Sequence, residues 1–291
     1  MKTWKIACVQ MDCKLGDNAA NLAAMRAKLR EAASAGAKLV VFPECILSGY
    51  GLGSRAEVMT VAEELPGPSV LAVAEDCAAL GVWCVFGMFE KAGAKLFNAC
   101  ALIGPTGYLA GYRKAHLPCL GADRFTDPGD RPFAVHDLGG LKLGMNICFD
   151  GSFPEASRVL TLKGADLIVL PTNWAEQAMR MATLVPRCRA FENHVYYAAV
   201  NRIGEESGFR YIGRSSISDY RGDHLVFADH DREAILYAVI DPAAARAKRV
   251  VTCSGEYEID RVNWRRPDLY GSLVEGATFT GHQNKQASGA A

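Results

Sequence analysis

Three reactive side chains each follow a short run that we interpret as a buried strand. Glu44 comes directly after the run 40–43, Lys114 follows 111–113, and Cys148 follows 144–147. In α/β proteins, ligands bind where the carboxyl ends of the strands meet at one edge of the sheet. We therefore expect a carboxylate, an ammonium group and a thiol to converge on one pocket.

These residue types together suit nucleophilic catalysis. A cysteine thiol attacks an electrophilic carbon once a neighbouring base removes its proton, and histidine is the usual base. Among the six histidines, only His116 lies in a suitable context, two residues after Lys114. A buried glutamate can replace histidine because loss of hydration raises the pKa of its carboxyl group. A lysine that stays charged can stabilise the oxyanion formed during attack.

Each of the three residues also has a plain structural interpretation. Cys148 is one of ten cysteines, most of which we expect to be small core residues, whereas Glu44 and Lys114 could lie on solvated loops. The sequence after the thiol favours a site, because Ser152 and Glu155 fit the S-x-x-E capping box of a helix. The positive end of that helix would favour the thiolate. The cap itself accounts for Glu155, which we interpret as structural.

The elements that must hold these residues alternate between strands and helices. Apolar residues at helical spacing predict helices at 18–35, 69–80, 153–163 and 179–193. Apolar runs bounded by turn residues predict strands at 4–10, 39–42, 82–89, 99–103, 109–112, 142–147, 167–170 and 195–200. Several further strands are predicted within 211–240, and Pro242 begins a short helix. The alternation predicts an α/β fold in one domain.

Composition excludes several functional classes. The 291 residues carry 32 basic and 32 acidic side chains, whereas nucleic-acid-binding proteins usually have a basic excess. The ten cysteines include no C-x-x-C pair, so we expect neither a zinc or iron–sulfur site nor a disulfide framework. No apolar run is long enough for a membrane span, and residues 1–8 lead into a strand rather than a secretory signal. We expect a reduced, cytoplasmic protein with no metal, no nucleic acid and no membrane partner.

Three ordered motifs resemble those of the nitrilase superfamily of carbon–nitrogen hydrolases. The glutamate, lysine and cysteine motifs are matched, in that order, by 42–44 with 48–50, 112–117 with 128–130, and 144–150 with 153–155. Further matches are found at 189–193, 199–201, 213–217 and 266–271. The resemblance covers nearly the whole chain, and the ordered set is far more specific than any one motif. It implies a four-layer α-β-β-α sandwich, which we assign to residues 1–280. Residues 281–291 are polar and rich in small side chains, so we expect a disordered tail there.

The resemblance also implies a catalytic triad and a reaction. Glu44 corresponds to the general base, Lys114 to the residue that stabilises the tetrahedral intermediate, and Cys148 to the nucleophile. The backbone N–H of Phe149 would complete the oxyanion hole. Members of this kind hydrolyse a small amide through a thioester, release ammonia or an amine, need no cofactor or metal, and usually form homo-oligomers.

The sequence departs from the family pattern at two places, one that concerns the second acidic residue of the site and one that concerns the substrate. Many amidase members carry a second glutamate after the lysine motif, and here the nearest acid is the shorter Asp123. Asp123 is therefore the candidate second acid, unless it only pairs with a loop arginine. Members that act on N-carbamoyl amino acids hold arginines just after the cysteine motif, where this chain has Gly151 and Ser152. The sequence therefore favours a neutral amide as substrate.

Other residues are candidates for lining or shaping the pocket. Tyr50 belongs to the glutamate motif, and Asn173 and Trp174 follow the predicted strand end at 170–171. A tryptophan in this position is equally well explained by core packing. His116 lies within the lysine motif, and we expect it to orient that loop.

Several alternative functions stay open at this point. Within the same fold, the chain could be a nitrilase proper, an N-carbamoyl amine hydrolase or an inactive binding protein. The intact set of Glu44, Lys114 and Cys148 argues against inactivity. The glycines at 49–53 suggest a dinucleotide site, but Ser54 stands where G-x-G-x-x-G requires its last glycine. The sequence does not name the substrate.

Overall fold

Strands and helices alternate along residues 3–276, the part of the chain that the computed structural model describes. The strands are β1 (Trp4–Gln10), β2 (Leu39–Val41), β3 (Trp83–Ala92), β4 (Lys95–Gly104), β5 (Gly107–Arg113), β6 (Val135–Asp137), β7 (Lys142–Met145), β8 (Leu167–Thr172), β9 (Tyr196–Asn201), β10 (Ile203–Glu206), β11 (Phe209–Ile212), β12 (Ser216–Ser218), β13 (His224–Phe227), β14 (Ala234–Ile240), β15 (Val250–Cys253) and β16 (Tyr257–Ile259). The helices are α1 (Asn18–Ser34), α2 (Arg55–Val61), α3 (Pro68–Leu80), α4 (Pro154–Leu162), α5 (Met179–Asn193) and α6 (Pro242–Arg246).

Two six-stranded sheets form the centre of the fold. The first has the order β14-β1-β2-β3-β4-β5 and the second the order β13-β12-β9-β8-β7-β6. In each sheet three central strands run parallel, β1-β2-β3 in the first and β7-β8-β9 in the second. The flanking strands pair in antiparallel fashion. Each sheet therefore has one edge where the carboxyl ends of several strands come together.

An apolar core between the two sheets holds them face to face. Fully buried Val85 and Leu102 of the first sheet share one cluster with Leu143 and Val169 of the second. Side chains alternate along a strand, so the neighbouring Ile103 belongs instead to the cluster on the other face. Burying an aliphatic side chain of this size stabilises a fold by roughly 1.5–3 kcal/mol.

Helices cover the outer face of each sheet. On the first sheet, Met25 of α1 and Val73 of α3 pack in one cluster with Phe86. On the second, Leu160 of α4 and Ala190 of α5 share a cluster with other fully buried residues of β8 and β9. The layer order is α-β-β-α, so the predicted four-layer sandwich is confirmed. Within residues 3–276, no helix is long and apolar enough to cross a membrane.

The structure differs from the sequence-based prediction at a few points. The predicted cap at Ser152 is wrong, because residues Cys148–Ser152 form a 3-10 turn and α4 is capped by Phe153, which makes no side-chain hydrogen bond. Pro154 does occupy the start of that helix. The short elements α2, β6, β10, β11, β15 and β16 were not predicted. The expected tail at 281–291 lies outside the described residues.

Candidate active site

Lys114 lies between two carboxylates in a fully buried cluster. Its Nζ is 2.7 Å from Glu44 Oε1 and 2.5 Å from Asp123 Oδ2. The three residues are exposed by 2% or less. Glu44 follows β2, Lys114 follows β5, and Asp123 lies on the 3-10 turn Gly121–Phe125. The structure thus brings together two predicted triad members and the predicted second acid.

A close approach between two chain segments fixes the position of Glu44. Gly87 of β3 donates its N–H to the carbonyl oxygen of Pro43 at 3.1 Å. A Cβ built on Gly87 would lie 2.4 Å from the Cys45 nitrogen and 2.6 Å from the Glu44 Cα. Both contacts are to backbone, so a larger residue could fit only if the glutamate loop moved away from the sheet.

Cys148 begins the 3-10 turn that follows β7 on the second sheet. Its φ of 43° lies in the left-handed region, which is uncommon for a residue with a side chain. The backbone N–H of Asn173, just past β8, donates to the Cys148 sulfur. The residue as a whole is half-buried, and it packs against the apolar clusters on both faces of the second sheet. Phe149 follows in the same turn, and its ring meets Phe153 edge to face at 5.2 Å. Strained backbone of this kind is often found where a side chain must be aimed at a ligand.

Burial and charge set the protonation states of the cluster. Burial alone would lower the pKa of Lys114, but the charges of Asp123 and Glu44 outweigh it and hold the pKa well above its usual value. Burial raises the pKa of Glu44, although the Lys114 ammonium opposes it. Burial, followed by the Glu44 charge, also raises the pKa of Cys148 well above its usual value. The expected stabilisation of a thiolate by a helix terminus is therefore wrong, because these two effects dominate.

A buried carboxylate joins the lysine motif to the cysteine motif. Asp150 accepts hydrogen bonds from the Tyr112 hydroxyl at 2.7 Å and from the backbone N–H groups of His116 and Ile147, both at 3.0 Å. The Nδ1 atom of His116 lies 2.7 Å from the same carboxylate, and its ring stacks on Phe153. This network connects β5 of the first sheet with the turn after β7 of the second.

A second network supports the loop after Glu44. Glu206, at the end of β10, accepts hydrogen bonds from the backbone N–H groups of Tyr50 and Gly51, each at 2.9 Å. The buried guanidinium of Arg202 forms an ion pair with Glu206 and another, at 2.7 Å, with Asp12. The β10–β11 hairpin therefore fixes the glutamate loop by hydrogen bonds that the sequence did not reveal.

The predicted pocket residues differ in what they contact. The Tyr50 hydroxyl donates to Asp123 Oδ2 at 2.8 Å, and burial raises the pKa of this phenol well above its usual value. Both polar atoms of the Asn173 side chain are buried and have no partner among the described residues. Trp174 is 3% exposed and packs in the core between the second sheet and its helices. The core interpretation of Trp174 is therefore the one that the packing supports.

Some important contacts come from residues that sequence reasoning missed. Asn98, Asp150 and Glu206 are buried polar residues that hydrogen-bond to the catalytic candidates or to their loops. Asn98 and Glu206 carry no local signal beyond a polar residue close to an apolar run. Asp150 stands inside the matched cysteine motif, and only its position there pointed to it. Residues 3–276 contain no group of three or more His, Cys, Asp or Glu placed to hold a metal ion.

Comparison with known proteins identifies the family. The carbon–nitrogen hydrolase family model matches residues 5–250, which is most of the chain. The chain therefore belongs to the carbon–nitrogen hydrolase family, within the nitrilase superfamily, as its motifs and its four layers indicated.

Individual relatives agree with this assignment. The chain is similar to a nitrilase of Pyrococcus abyssi, with 38% identity over 84% of this chain and 93% of the relative. It is also similar to an omega-amidase of Danio rerio, with 33% identity over 95% of this chain and 100% of the relative. An amidase from Nesterenkonia sp. AN1, solved with acrylamide bound, has the same fold, with a TM-score of 0.77 and 22% identity over 93% of this chain and 97% of that one.

Proposed function

We propose that this protein hydrolyses a small amide through a thioester on Cys148. The observation that carries the proposal is the arrangement around Glu44. Its Oε1 atom accepts hydrogen bonds from Lys114 and Asn98, whereas its buried Oε2 atom has no partner among the described residues. Because burial raises the pKa of the Cys148 thiol, the thiol needs a base to remove its proton. We assign this role to the unpartnered Oε2 atom of Glu44.

The first half of the proposed reaction forms the thioester. Glu44 takes the thiol proton while the Cys148 sulfur attacks the amide carbon. Lys114 has three N–H donors, of which Glu44 and Asp123 each accept one, so the third can bind the developing oxyanion. The N–H of Phe149 is the second proposed donor. Glu44 then returns its proton to the nitrogen, which leaves as ammonia or an amine.

The second half regenerates the enzyme. Glu44, again ionised, takes a proton from water, and the hydroxide attacks the thioester carbon. Collapse of this second intermediate releases a carboxylic acid, and the cysteine sulfur leaves and recovers a proton from Glu44. The overall reaction consumes one water molecule, and Glu44, Lys114 and Cys148 return to their starting protonation states. No cofactor or metal takes part in this scheme.

We also propose that Asp123 is the second acid of the site. Its carboxylate receives hydrogen bonds from Lys114, Tyr50 and Asn98. These three donors surround one buried carboxylate, so we assign Asp123 the role of a fixed partner for the Lys114 ammonium group. Glu44 is then the carboxyl group that gains and loses a proton during turnover.

Asp123→Asn tests this division of roles. The change removes a negative charge that raises the pKa of Glu44, so the acid limb of the kcat/KM profile should move to lower pH. Loss of a partner for Lys114 should also reduce kcat/KM by roughly 10²-fold at neutral pH. The measurement is kcat/KM from pH 4 to 9. An unchanged rate and an unchanged acid limb would show that Asp123 only pairs with its neighbours.

The environment of the arginines supports a neutral substrate. Arg189 donates through Nε to the Gly151 carbonyl oxygen at 3.0 Å. Arg187 donates to the carbonyl oxygen of Gly222 at 2.7 Å, and Arg202 is held by its two acidic partners. These three guanidinium groups thus hold the protein's own oxygens. Binding an anionic substrate without such a cation would leave a buried carboxylate unpaired.

A substrate panel tests the proposed function. We expect the release of ammonia from a neutral aliphatic or aromatic amide, with kcat/KM at least about tenfold higher than for an N-carbamoyl amino acid of similar size. The panel also contains the corresponding nitrile, since a nitrilase would form a thioimidate from it on the same cysteine, and addition of water with loss of ammonia would then give the thioester. Preference for the nitrile or the ureido compound would select the alternative activity. If no compound is hydrolysed, the chain is an inactive binding member of its family.

Two further properties belong to the proposal. We propose a homo-oligomer, because apolar side chains of α5 and β15 form one exposed surface made of Leu184, Phe191, Val250 and Val251. A second copy of the chain could cover this surface. We also propose a cytoplasmic location, which ten unpaired cysteines support, because a reducing compartment preserves free thiols.

A further inference from the structure

We infer that Asn98 is a positioning residue that orients the Glu44 carboxylate and keeps it ionised. This inference rests on the proposed function. Asn98 lies on β4 and is fully buried. Its Nδ2 atom donates to Glu44 Oε1 at 2.7 Å and to Asp123 Oδ1 at 2.8 Å. Its backbone carbonyl oxygen accepts the backbone N–H of Lys114 at 2.8 Å. One residue therefore contacts all three charged members of the cluster.

The surroundings of the Asn98 side chain require its amide to point one way. The NH₂ group faces two carboxylate oxygens, and the Oδ1 atom accepts a hydrogen bond from the Cys45 thiol at 3.4 Å. A flipped amide would place an acceptor against two acceptors. The residue thus offers both of its N–H donors to the two acids, which serine, aspartate or an aliphatic residue cannot do.

These contacts determine which oxygen of Glu44 is available. Asn98 and Lys114 both donate to Oε1, and two donors on one oxygen fix the rotation of the carboxylate. Oε2 is left without a partner among the described residues. Without Asn98, a single hydrogen bond from Lys114 would hold the group, and either oxygen could turn toward the lysine. The oxygen that we propose as the base would then be free of the lysine for only part of the time.

The charges around Glu44 show why a neutral donor is needed there. The titratable groups that face it are Cys45, Tyr50, Lys114, Asp123, Cys148 and Tyr211. Lys114 is the one cation among these six, and Asp123 shares its charge. Burial raises the pKa of Glu44, and the Asn98 hydrogen bond acts in the opposite direction. The amide thus stabilises the ionised base without adding a charge that would compete for Lys114.

The test is the pH dependence of Asn98→Ala in the full-length protein. We expect kcat/KM on the preferred amide to fall roughly 10- to 100-fold at neutral pH, with the loss in kcat rather than KM, because Asn98 touches the base and not the substrate. The acid limb should move about one unit to higher pH, since a carboxylate that loses a donor binds its proton more tightly. Asn98→Ser, with one hydrogen to donate instead of two, should give an intermediate shift.

Cys100→Ala is the matched control. Cys100 lies on the same strand two residues further on and is fully buried in the core between the sheets, where its sulfur faces Met145. This variant should keep the wild-type acid limb. A rate loss in Asn98→Ala without a shift of the limb, or an equal shift in Cys100→Ala, would overturn the inference and leave Asn98 with a structural role. If Asn98→Ala does not fold, the shift of the acid limb in Asn98→Ser tests the inference instead.

A second readout separates this inference from the proposed function. The rate of alkylation of Cys148 by iodoacetamide across the pH range of the acid limb, followed by mass spectrometry of the peptide that contains it, reports transfer of the thiol proton to Glu44 without any substrate. Its pH profile should shift to higher pH in Asn98→Ala. If the wild type hydrolyses no amide, the proposed function fails, yet the alkylation profile still tests Asn98. An alkylation profile that matches the wild type contradicts the inference even in an active enzyme.

Discussion

Cys148→Ala should abolish amide hydrolysis while leaving the fold intact. The thiol is the proposed nucleophile, and without it no thioester can form, so we expect kcat to fall by a factor on the order of 10⁵ to 10⁶. Alanine also accepts the left-handed backbone at this position no worse than cysteine does, and the change removes a single sulfur atom from a half-buried residue, so the fold should tolerate it. The measurement is ammonia release, with circular dichroism and thermal unfolding as tests of the fold.

The matched comparison is again Cys100→Ala, a cysteine that lies outside the acid–base cluster. Its side chain is fully buried and packs 3.8 Å from the Met145 sulfur. Cys100→Ala should lower the unfolding temperature and have little effect on kcat. Cys148→Ala should do the opposite, with a large loss of kcat and little change in the unfolding temperature. Near-wild-type turnover by Cys148→Ala would rule out the covalent mechanism.

Glu44→Gln and Lys114→Ala should each reduce kcat about as severely as loss of the nucleophile. The amide introduced by Glu44→Gln cannot take up the thiol proton, although glutamine matches glutamate in size. Loss of Lys114 removes the proposed oxyanion donor and leaves Glu44 and Asp123 as two buried carboxylates without a cation. We therefore expect losses on the order of 10⁴-fold or more for both variants, and a lower unfolding temperature for Lys114→Ala alone.

The double variant Glu44→Gln/Cys148→Ala distinguishes a catalytic unit from two independent groups. Residues that act in one step are strongly non-additive, so the double variant should be little worse than Cys148→Ala alone. Steady-state and single-turnover rates provide the comparison. Normal formation and hydrolysis of the thioester by Glu44→Gln would remove this residue from the mechanism.

The positions of the proposed catalytic residues could be predicted from sequence because each one follows a strand. Glu44, Lys114 and Cys148 come soon after β2, β5 and β7, and residues at such strand ends gather at one edge of a sheet. Asn98 was missed because the predicted strand began at 99, whereas β4 begins at Lys95 and includes it. A strand with a polar residue near its start is hard to delimit, since burial of that residue depends on partners distant in sequence.

The wrong predictions have the same physical origin. The S-x-x-E pattern at Ser152 is a local signal, yet the chain there is held in a 3-10 turn by Asp150, whose partners Tyr112 and His116 come from the first sheet and the loop after it. The thiolate prediction considered only a nearby helix terminus, whereas burial and the charge of Glu44 decide the pKa of the thiol. Local patterns therefore indicated the candidate residues, and long-range contacts determined the electrostatics around them.

Because the candidate site is divided between two sheets, catalysis would depend on how these sheets pack against each other. Glu44, Lys114 and Asp123 belong to the first sheet and its loops, and Cys148 belongs to the turn after β7 of the second sheet, with the apolar core between the two sheets. A state in which the sheets had separated could keep its helices and strands but would have no working reaction centre. For the same reason, core substitutions far from Cys148 should change the separation of the two sheets, and with it the distance between Cys148 and the acid cluster. Adjusting the thickness of that core is thus a route by which evolution can tune turnover without altering a single reactive group.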